Sequence, residues 1–331
     1  MQYRRLGKSD LKVPVISFGA GPISGLMVGD DTSTQLETIS RAVDFGIDYF
    51  DTAATYGAGR SESALGAVLK TLNVVDRVRL ATKVRLMPEQ LDDVGVAVRA
   101  SFESSCRRLG VDRVTLLQLH NSITSNRGDL PTSLTVHDVL GRKGVVAEFE
   151  KLKQAGRVAH FGFTGLGDMD SLVTIAKEGP FIAAQIPLNI LLPIGGRDAT
   201  AGSVDVDYLQ LARICHEYGI GVIAIRVFAG GALVGQEPSS HTYKTKFFTL
   251  DVFERDRIRA SELAKLVPKD IPCTAATIRY VTGILNAATA LIGFATPDQV
   301  EEAVAFSEDG PLEESLMKKI HDLAIELKKR D

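Results

Sequence analysis

The chain has 331 residues, long enough to bury roughly three quarters of the surface its unfolded form would expose. Hydrophobic residues make up 45% and charged residues 24%, which excludes a disordered or collagen-like chain and a small disulfide scaffold. A net charge of -3 excludes broad electrostatic attraction to nucleic acid or to an anionic membrane surface.

The opening MQYRRLGKSDLKVP lacks the long apolar stretch of a secretory signal. It reads as a small hairpin, 2–6 against 11–13, closing the floor of a barrel. Short apolar runs then recur at 15–18, 47–50, 78–82, 114–119, 159–163, 181–184, 221–225 and 288–293. Their β-branched and aromatic content, without strict alternation, suits strands buried on both faces of a parallel sheet. The intervening segments 34–45, 61–72, 88–109, 144–154, 169–177, 208–218 and 253–266 carry apolar residues at helical spacing, and 297–305 supplies an eighth helix. Asp207 stands at a helix start, and Gly46, Gly110, Gly156 and Gly219 stand at helix ends.

Eightfold alternation predicts an α/β fold: a single (β/α)8 TIM barrel domain over residues 1–331, with the N-terminal hairpin and extra C-terminal helices. An open doubly wound sheet would carry a fuller glycine fingerprint than Gly19 and Gly21 provide. Segments 121–143, 230–249 and 271–285 read as additions, and 311–329 as a charged helix packed outside. No run of 18 apolar residues exists, so no membrane span is expected. Cys106, Cys215 and Cys273 lie far apart and are expected to be buried free thiols in a reducing compartment. No His, Cys and carboxylate set has ligand spacing, so no metal is expected. These features describe a cytoplasmic protein, a monomer or homo-oligomer without a nucleic-acid or membrane partner.

In a parallel barrel all strand C-termini open on one face. Asp51, Lys83, His120, Thr164, Gln185 and Arg226 end six candidate strands, and Tyr56 follows five residues after Asp51. Singly, a strand-end Lys is an ordinary ion-pair residue and a His an ordinary core residue; jointly they bring acid, amine, phenol and imidazole to one mouth. Reducing a carbonyl places negative charge on its oxygen, which needs a donor. A phenol, with an ordinary pKa near 10, exchanges protons poorly at neutral pH. A neighbouring ammonium favours phenolate. Lys83 supplies that ammonium, Asp51 orients it, and His120 donates a second hydrogen bond to the substrate. In oxidation Tyr56 accepts the alcohol proton. His137 and Asp138 read as solvated loop groups, and His160 and His216 as structural.

These residues sit in blocks that resemble the aldo-keto reductase superfamily over almost the whole chain: LGKSDLKVPVISFGAG, GIDYFDTAATYGAGRSESALG, LATKV, LLQLHNS, GRVAHFGFTG, AQIPLNI, GIGVIAI and IGFATPDQVEEAV. The resemblance implies a catalytic tetrad of Asp51, Tyr56, Lys83 and His120, with Tyr56 as general acid, and a nicotinamide cofactor across the barrel mouth. Thr164 and Gly165 stand where the family commonly has Ser-Asn, and Gln185 matches its glutamine. Ile225 stands where an aromatic often stacks. Arg226, Phe228, Gly230 and Gly231 read as a pyrophosphate-binding turn, with a rim ion pair as the other reading of Arg226. Gly293, Gln299 and Glu302 fall in the adenosine block, whose acids Asp298, Glu301 and Glu302 oppose a 2′-phosphate. NAD is therefore favoured and NADP possible, with Arg197 or Lys244 as distant bases for the latter.

A few motifs are similar to sugar-dehydrogenase members such as the L-galactose dehydrogenases. The polar segment 121–143 contains no aromatic residue, which suggests a small carbonyl or sugar substrate touching Tyr56, His120 and Asn121. The expected activity is interconversion of aldehydes, ketones or hemiacetals with alcohols or lactones. The alternatives are a cofactor-binding regulatory subunit with little turnover and a Schiff-base enzyme using Lys83.

Overall fold

The computed structural model describes residues 1–191, 206–284 and 287–328. Strands β1 (Tyr3–Arg5) and β2 (Lys12–Pro14) form the antiparallel hairpin, with Arg4 opposite Val13. Its turn needs glycine at position 7: φ is +59°, and a Cβ there would lie 2.4 Å from the Gly219 carbonyl oxygen. The chain then runs β3 (Ile16–Gly19), α1 (Thr32–Asp44), β4 (Tyr49–Asp51), α2 (Arg60–Thr71), β5 (Arg79–Val84), α3 (Val94–Leu109) and β6 (Val114–Leu119). Next come α4 (Val136–Leu140), α5 (Val145–Gln154), β7 (Val158–Thr164), α6 (Met169–Glu178), β8 (Ala183–Pro187), α7 (Tyr208–Glu217) and β9 (Gly221–Ile225). It ends with α8 (Leu250–Leu263), α9 (Cys273–Gly283), β10 (Ala287–Ile292), α10 (Pro297–Glu308) and α11 (Glu314–Lys328). Strands β3 to β10 close in chain order into a parallel eight-stranded barrel, β10 returning to β3.

Local chemistry explains the boundaries. The Asp207 carboxylate accepts 2.9 Å from the Gln210 amide at the start of α7, and Gly46, Gly110, Gly156 and Gly219 are all left-handed. The segment 88–109 is two elements: Pro88–Asp93 is a 3-10 turn, and Asp93 accepts from Val96 N to start α3. The sixth barrel strand begins at Ala183, later than the apolar run suggests, so Gln185 lies within it. The extra helix spans Cys273–Gly283, and position 285 lies outside the described residues. Cys106 and Cys215 are buried, but Cys273 is only half-buried; all three are free thiols. Burial pushes the Cys106 thiol up to about 11 and the Cys215 thiol up to about 12, leaving both protonated and inert.

Strand side chains facing outward pack on the helices, while a second apolar layer plugs the floor. Leu6, Leu11 and Val13 from the hairpin meet Tyr49, Ala81, Leu116, Ala183, Ile223 and Ala288 from six strands. The hairpin is therefore a stopper that keeps water out of the barrel from below. Leu6 is fully buried in that plug, and Leu6→Ala is expected to cost about 2–5 kcal/mol in urea unfolding. No helix of the described residues is long and apolar enough to cross a membrane.

Candidate active site

Strand periodicity converts the apolar floor into a polar layer one step up. Two residues beyond Tyr49, Ala81, Leu116 and Ala183 on their strands come Asp51, Lys83, Gln118 and Gln185. All four are buried. Lys83 Nζ donates to Asp51 Oδ1, to the Thr52 carbonyl at 2.9 Å and to the Tyr56 hydroxyl at 3.2 Å. Asp51 Oδ2 accepts from Gln118 Nε2 and from Gln185 Nε2, each at 2.7 Å. Burial raises the Asp51 carboxyl above the usual carboxylate range, against the pull of Lys83 and the two amides. Burial also acts to lower Lys83, but Asp51 and Tyr56 outweigh it and hold the ammonium above the ordinary lysine value. Gln118 was not evident as a site residue in the sequence; its signal is a polar side chain inside an apolar strand, two residues before His120.

Tyr56 is carried on the turn Tyr56–Gly59, where Gly57 and Ala58 are both left-handed. A Cβ at Gly57 would meet the Val28 side chain at 2.9 Å, so glycine sets this approach. His120 presents its ring edge-on to Tyr56, centroids 5.6 Å apart, with Nδ1 3.4 Å from Thr55 Oγ1. Burial first, then Arg85 and Lys83, push the imidazole well below its ordinary pKa, so the ring is neutral at neutral pH. Tyr56 and His120 open into a cleft of about 910 Å³ at the strand C-terminal face.

The sequence of residues 15–325 matches the Aldo/keto reductase family. This chain belongs to the aldo/keto reductase family. It is 28% identical to L-galactose dehydrogenase of Arabidopsis thaliana over 92% of this chain and 88% of that protein. It is 25% identical to D-threo-aldose 1-dehydrogenase of a Pseudomonas species, over 90% of each. Its fold matches aldo-keto reductase AKR11C1 from Bacillus halodurans, holo form, with a TM-score of 0.73 at 23% identity, over 98% and 96% of the two chains. The chain is thus an oxidoreductase of a family that uses nicotinamide cofactors.

The cleft of this family member suits such a cofactor. Thr164 Oγ1 and Ser24 Oγ are buried there without a hydrogen-bond partner among the described residues. Unsatisfied buried hydroxyls on a cleft wall are positions a polar ligand completes. Arg226, Phe228, Gly230 and Gly231 line the cleft together, and both glycines are left-handed, keeping side chains away from the wall. Gln185, Gly293, Gln299 and Glu302 also line it. Gln299 spends its Oε1 accepting from Ala295 N at 2.8 Å, which ties the loop before α10.

The structure places several of the expected residues differently from the sequence reading. Gly165 does not line the cleft; it packs against Leu211 and Ile186 while its amide donates to Gln185 O. Asn121 does not line it either: it is fully buried, its amide tied to Leu86 N, Leu86 O and Thr132 O. It braces loop backbone whose polar groups need partners once buried. No described residue of 121–143 reaches the cleft wall, which is built instead by residues after β9, including Thr242, Phe247 and Phe248. Asp138 is buried, capping α4 and pairing with Arg127, which pulls its carboxyl down to about 2 despite burial. Arg226 makes the ion pair of the second reading, with Asp256 at 3.5 Å, while lining the cleft and stacking on Phe248 at 3.8 Å. Glu301 pairs with Arg41 on α1, whereas Glu302 lines the cleft. Arg197 lies outside the described residues.

Proposed function

We propose that this chain interconverts aldehydes, ketones or sugar hemiacetals with alcohols or lactones, with Tyr56 as the general acid and base and NAD as its preferred cofactor. The observation that carries the reading is the Tyr56 hydroxyl at the cleft, 3.2 Å from a buried, paired ammonium. When bound, the nicotinamide supplies hydride for reduction and takes it up in oxidation. In reduction Tyr56 gives its proton to the carbonyl oxygen, and in oxidation it takes the proton back. Lys83 compensates the phenolate in either direction, while Asp51 and its two glutamine donors fix Lys83 in place. His120, neutral, donates from Nε2 to the same substrate oxygen when Thr55 donates to Nδ1. Lys83 is committed to an ion pair as the ammonium, the wrong protonation state for Schiff-base attack.

Sugar hemiacetals enter through the names of the two dehydrogenase relatives. The NAD preference rests on Glu302 in the cleft wall. Among the described residues, the Lys and Arg side chains lining it are Arg85, beside His120, and Arg226, already paired with Asp256. Neither belongs to the adenosine block around Glu302. Titrating the chain with each reduced nicotinamide, read by cofactor fluorescence, is expected to give a Kd at least about tenfold lower for NADH. A tenfold preference for NADPH would defeat the cofactor assignment. Turnover of 4-nitrobenzaldehyde and of aldoses, followed at the reduced-cofactor absorbance, tests the activity itself.

A further inference from the structure

Arg85 follows Lys83 by two residues, so the strand period turns it to the same inward side, one residue past the end of β5. It lines the cleft beside Thr55, Tyr56, His120 and Phe247. Its Nη2 donates to the His120 carbonyl at 3.1 Å, and its guanidinium lies 5.2 Å from the centre of the Phe247 ring. Its Nε is buried without a hydrogen-bond partner among the described residues.

What sets Arg85 apart is charge. Lys83 is matched by Asp51, and Arg226 by Asp256. Arg85 pairs with no carboxylate among the described residues; burial acts to lower its pKa, and Tyr56 supplies the only opposing influence. Glu237 and Glu302 line the same cleft, yet neither pairs with it. A partly buried cation without a counter-charge carries a desolvation cost, and a ligand anion offsets it. The guanidinium fork matches a planar carboxylate. A neutral hydroxyl would leave the charge uncompensated, and a phosphate dianion would leave one of its two charges unmatched by this single cation. The bond to the His120 carbonyl fixes the guanidinium next to the imidazole that faces the substrate carbonyl.

We propose that Arg85 is the substrate-anion receptor of this site, and that its best substrates are aldehydes, ketones or hemiacetals carrying a carboxylate a few bonds from the reacting carbon. The proposal rests on the oxidoreductase reading above and narrows its substrate class. In reduction Tyr56 gives its proton to the oxygen while the carbonyl carbon would take hydride from bound reduced nicotinamide; in hemiacetal oxidation Tyr56 takes the hydroxyl proton while the carbon would give hydride to the oxidised cofactor, and in both the carboxylate passes through unchanged.

The test compares matched pairs on the full chain. They are 3-carboxybenzaldehyde against 3-(hydroxymethyl)benzaldehyde with NADH, and D-galacturonate against D-galactose and D-galactose 6-phosphate with NAD. A preference of about tenfold or more in kcat/KM for the carboxylates, carried mainly by KM, is expected. Arg85→Met should abolish that ratio and Arg85→Lys should keep part of it. Equal kcat/KM within the pairs, a preference surviving in Arg85→Met, or a phosphate ester favoured over the uronate would overturn the proposal. In the wild-type chain, benzoate should compete with the neutral aldehyde at concentrations about tenfold below benzamide, and equal inhibition would also overturn it. If no carbonyl compound is turned over at all, the oxidoreductase reading fails instead. Calorimetry with benzoate in the presence of NAD still decides Arg85: heat lost in Arg85→Met supports it, and absence of wild-type heat overturns it.

Discussion

Replacing Tyr56 by Phe is expected to lower kcat/KM about 10²–10⁴-fold in both reduction and oxidation while leaving nicotinamide affinity within about twofold. The ring is retained, and with it the edge contact to His120 and the packing against Gly21. Only the hydroxyl disappears, and with it the bond to Lys83 at 3.2 Å. Lys83 keeps Asp51 and the Thr52 carbonyl, so the buried pair survives and the fold loses only about 1 kcal/mol. The loss therefore falls on the transition state, where the substrate oxygen has no proton donor of comparable reach. Steady-state rates in both directions and a fluorescence titration of NADH separate the two effects. Wild-type rates in the Phe variant would remove Tyr56 from the proton-transfer role.

The barrel was legible because its strands are buried on both faces and helices α1, α3, α5 and α7 are followed by left-handed glycines. Each repeat therefore carries an apolar run, and four of them a glycine stop signal, in the sequence. Asp51 and Lys83 were legible for a related reason: a charged residue closing such a run must find a partner inside, and the parallel barrel brings neighbouring strand ends together. Gln118 escaped because an amide within LLQL reads as an edge substitution, and only the register of β5 with β6 sets it beside Lys83. Arg85 escaped because it lies beyond the apolar run, where cations are usually solvated. Asn121 and Asp138 failed in the opposite sense. A polar segment looks exposed, yet a long connection folded onto itself buries its own backbone and needs such side chains inside to satisfy it. Arg226 shows the limit of local reading, since Asp256 and Phe248 arrive from distant residues that no spacing rule links to it.

Lys83→Met removes two things at once, and their pH dependences run in ways that separate them. The first is catalytic. Without the ammonium the Tyr56 hydroxyl loses its hydrogen-bonded cation and keeps the weaker pull of the Arg85 guanidinium in the same cleft, so the surviving oxidation activity should reach half its maximum at a higher pH than in the wild type. An unmoved profile would take Lys83 out of the tuning role. The second is structural. Asp51 is left fully buried with only the Gln118 and Gln185 amides, and breaking such a pair costs about 3–5 kcal/mol at neutral pH. In the wild type, Lys83 is held protonated above the ordinary value of 10.5; its contribution is complete below that pH and fades as pH rises through the higher folded value. In the variant the sign rests on Asp51, whose folded carboxyl already lies above the ordinary 3.8 through burial. A raised carboxyl favours the folded state below its unfolded value and loses that advantage as pH climbs through the folded one. Urea unfolding of Lys83→Met should therefore show a deficit against wild type that shrinks toward mildly acid pH, where Asp51 takes up a proton and the buried charge vanishes. A deficit independent of pH would mean that lost packing around the lysine stem, and not the stranded carboxylate, dominates the cost.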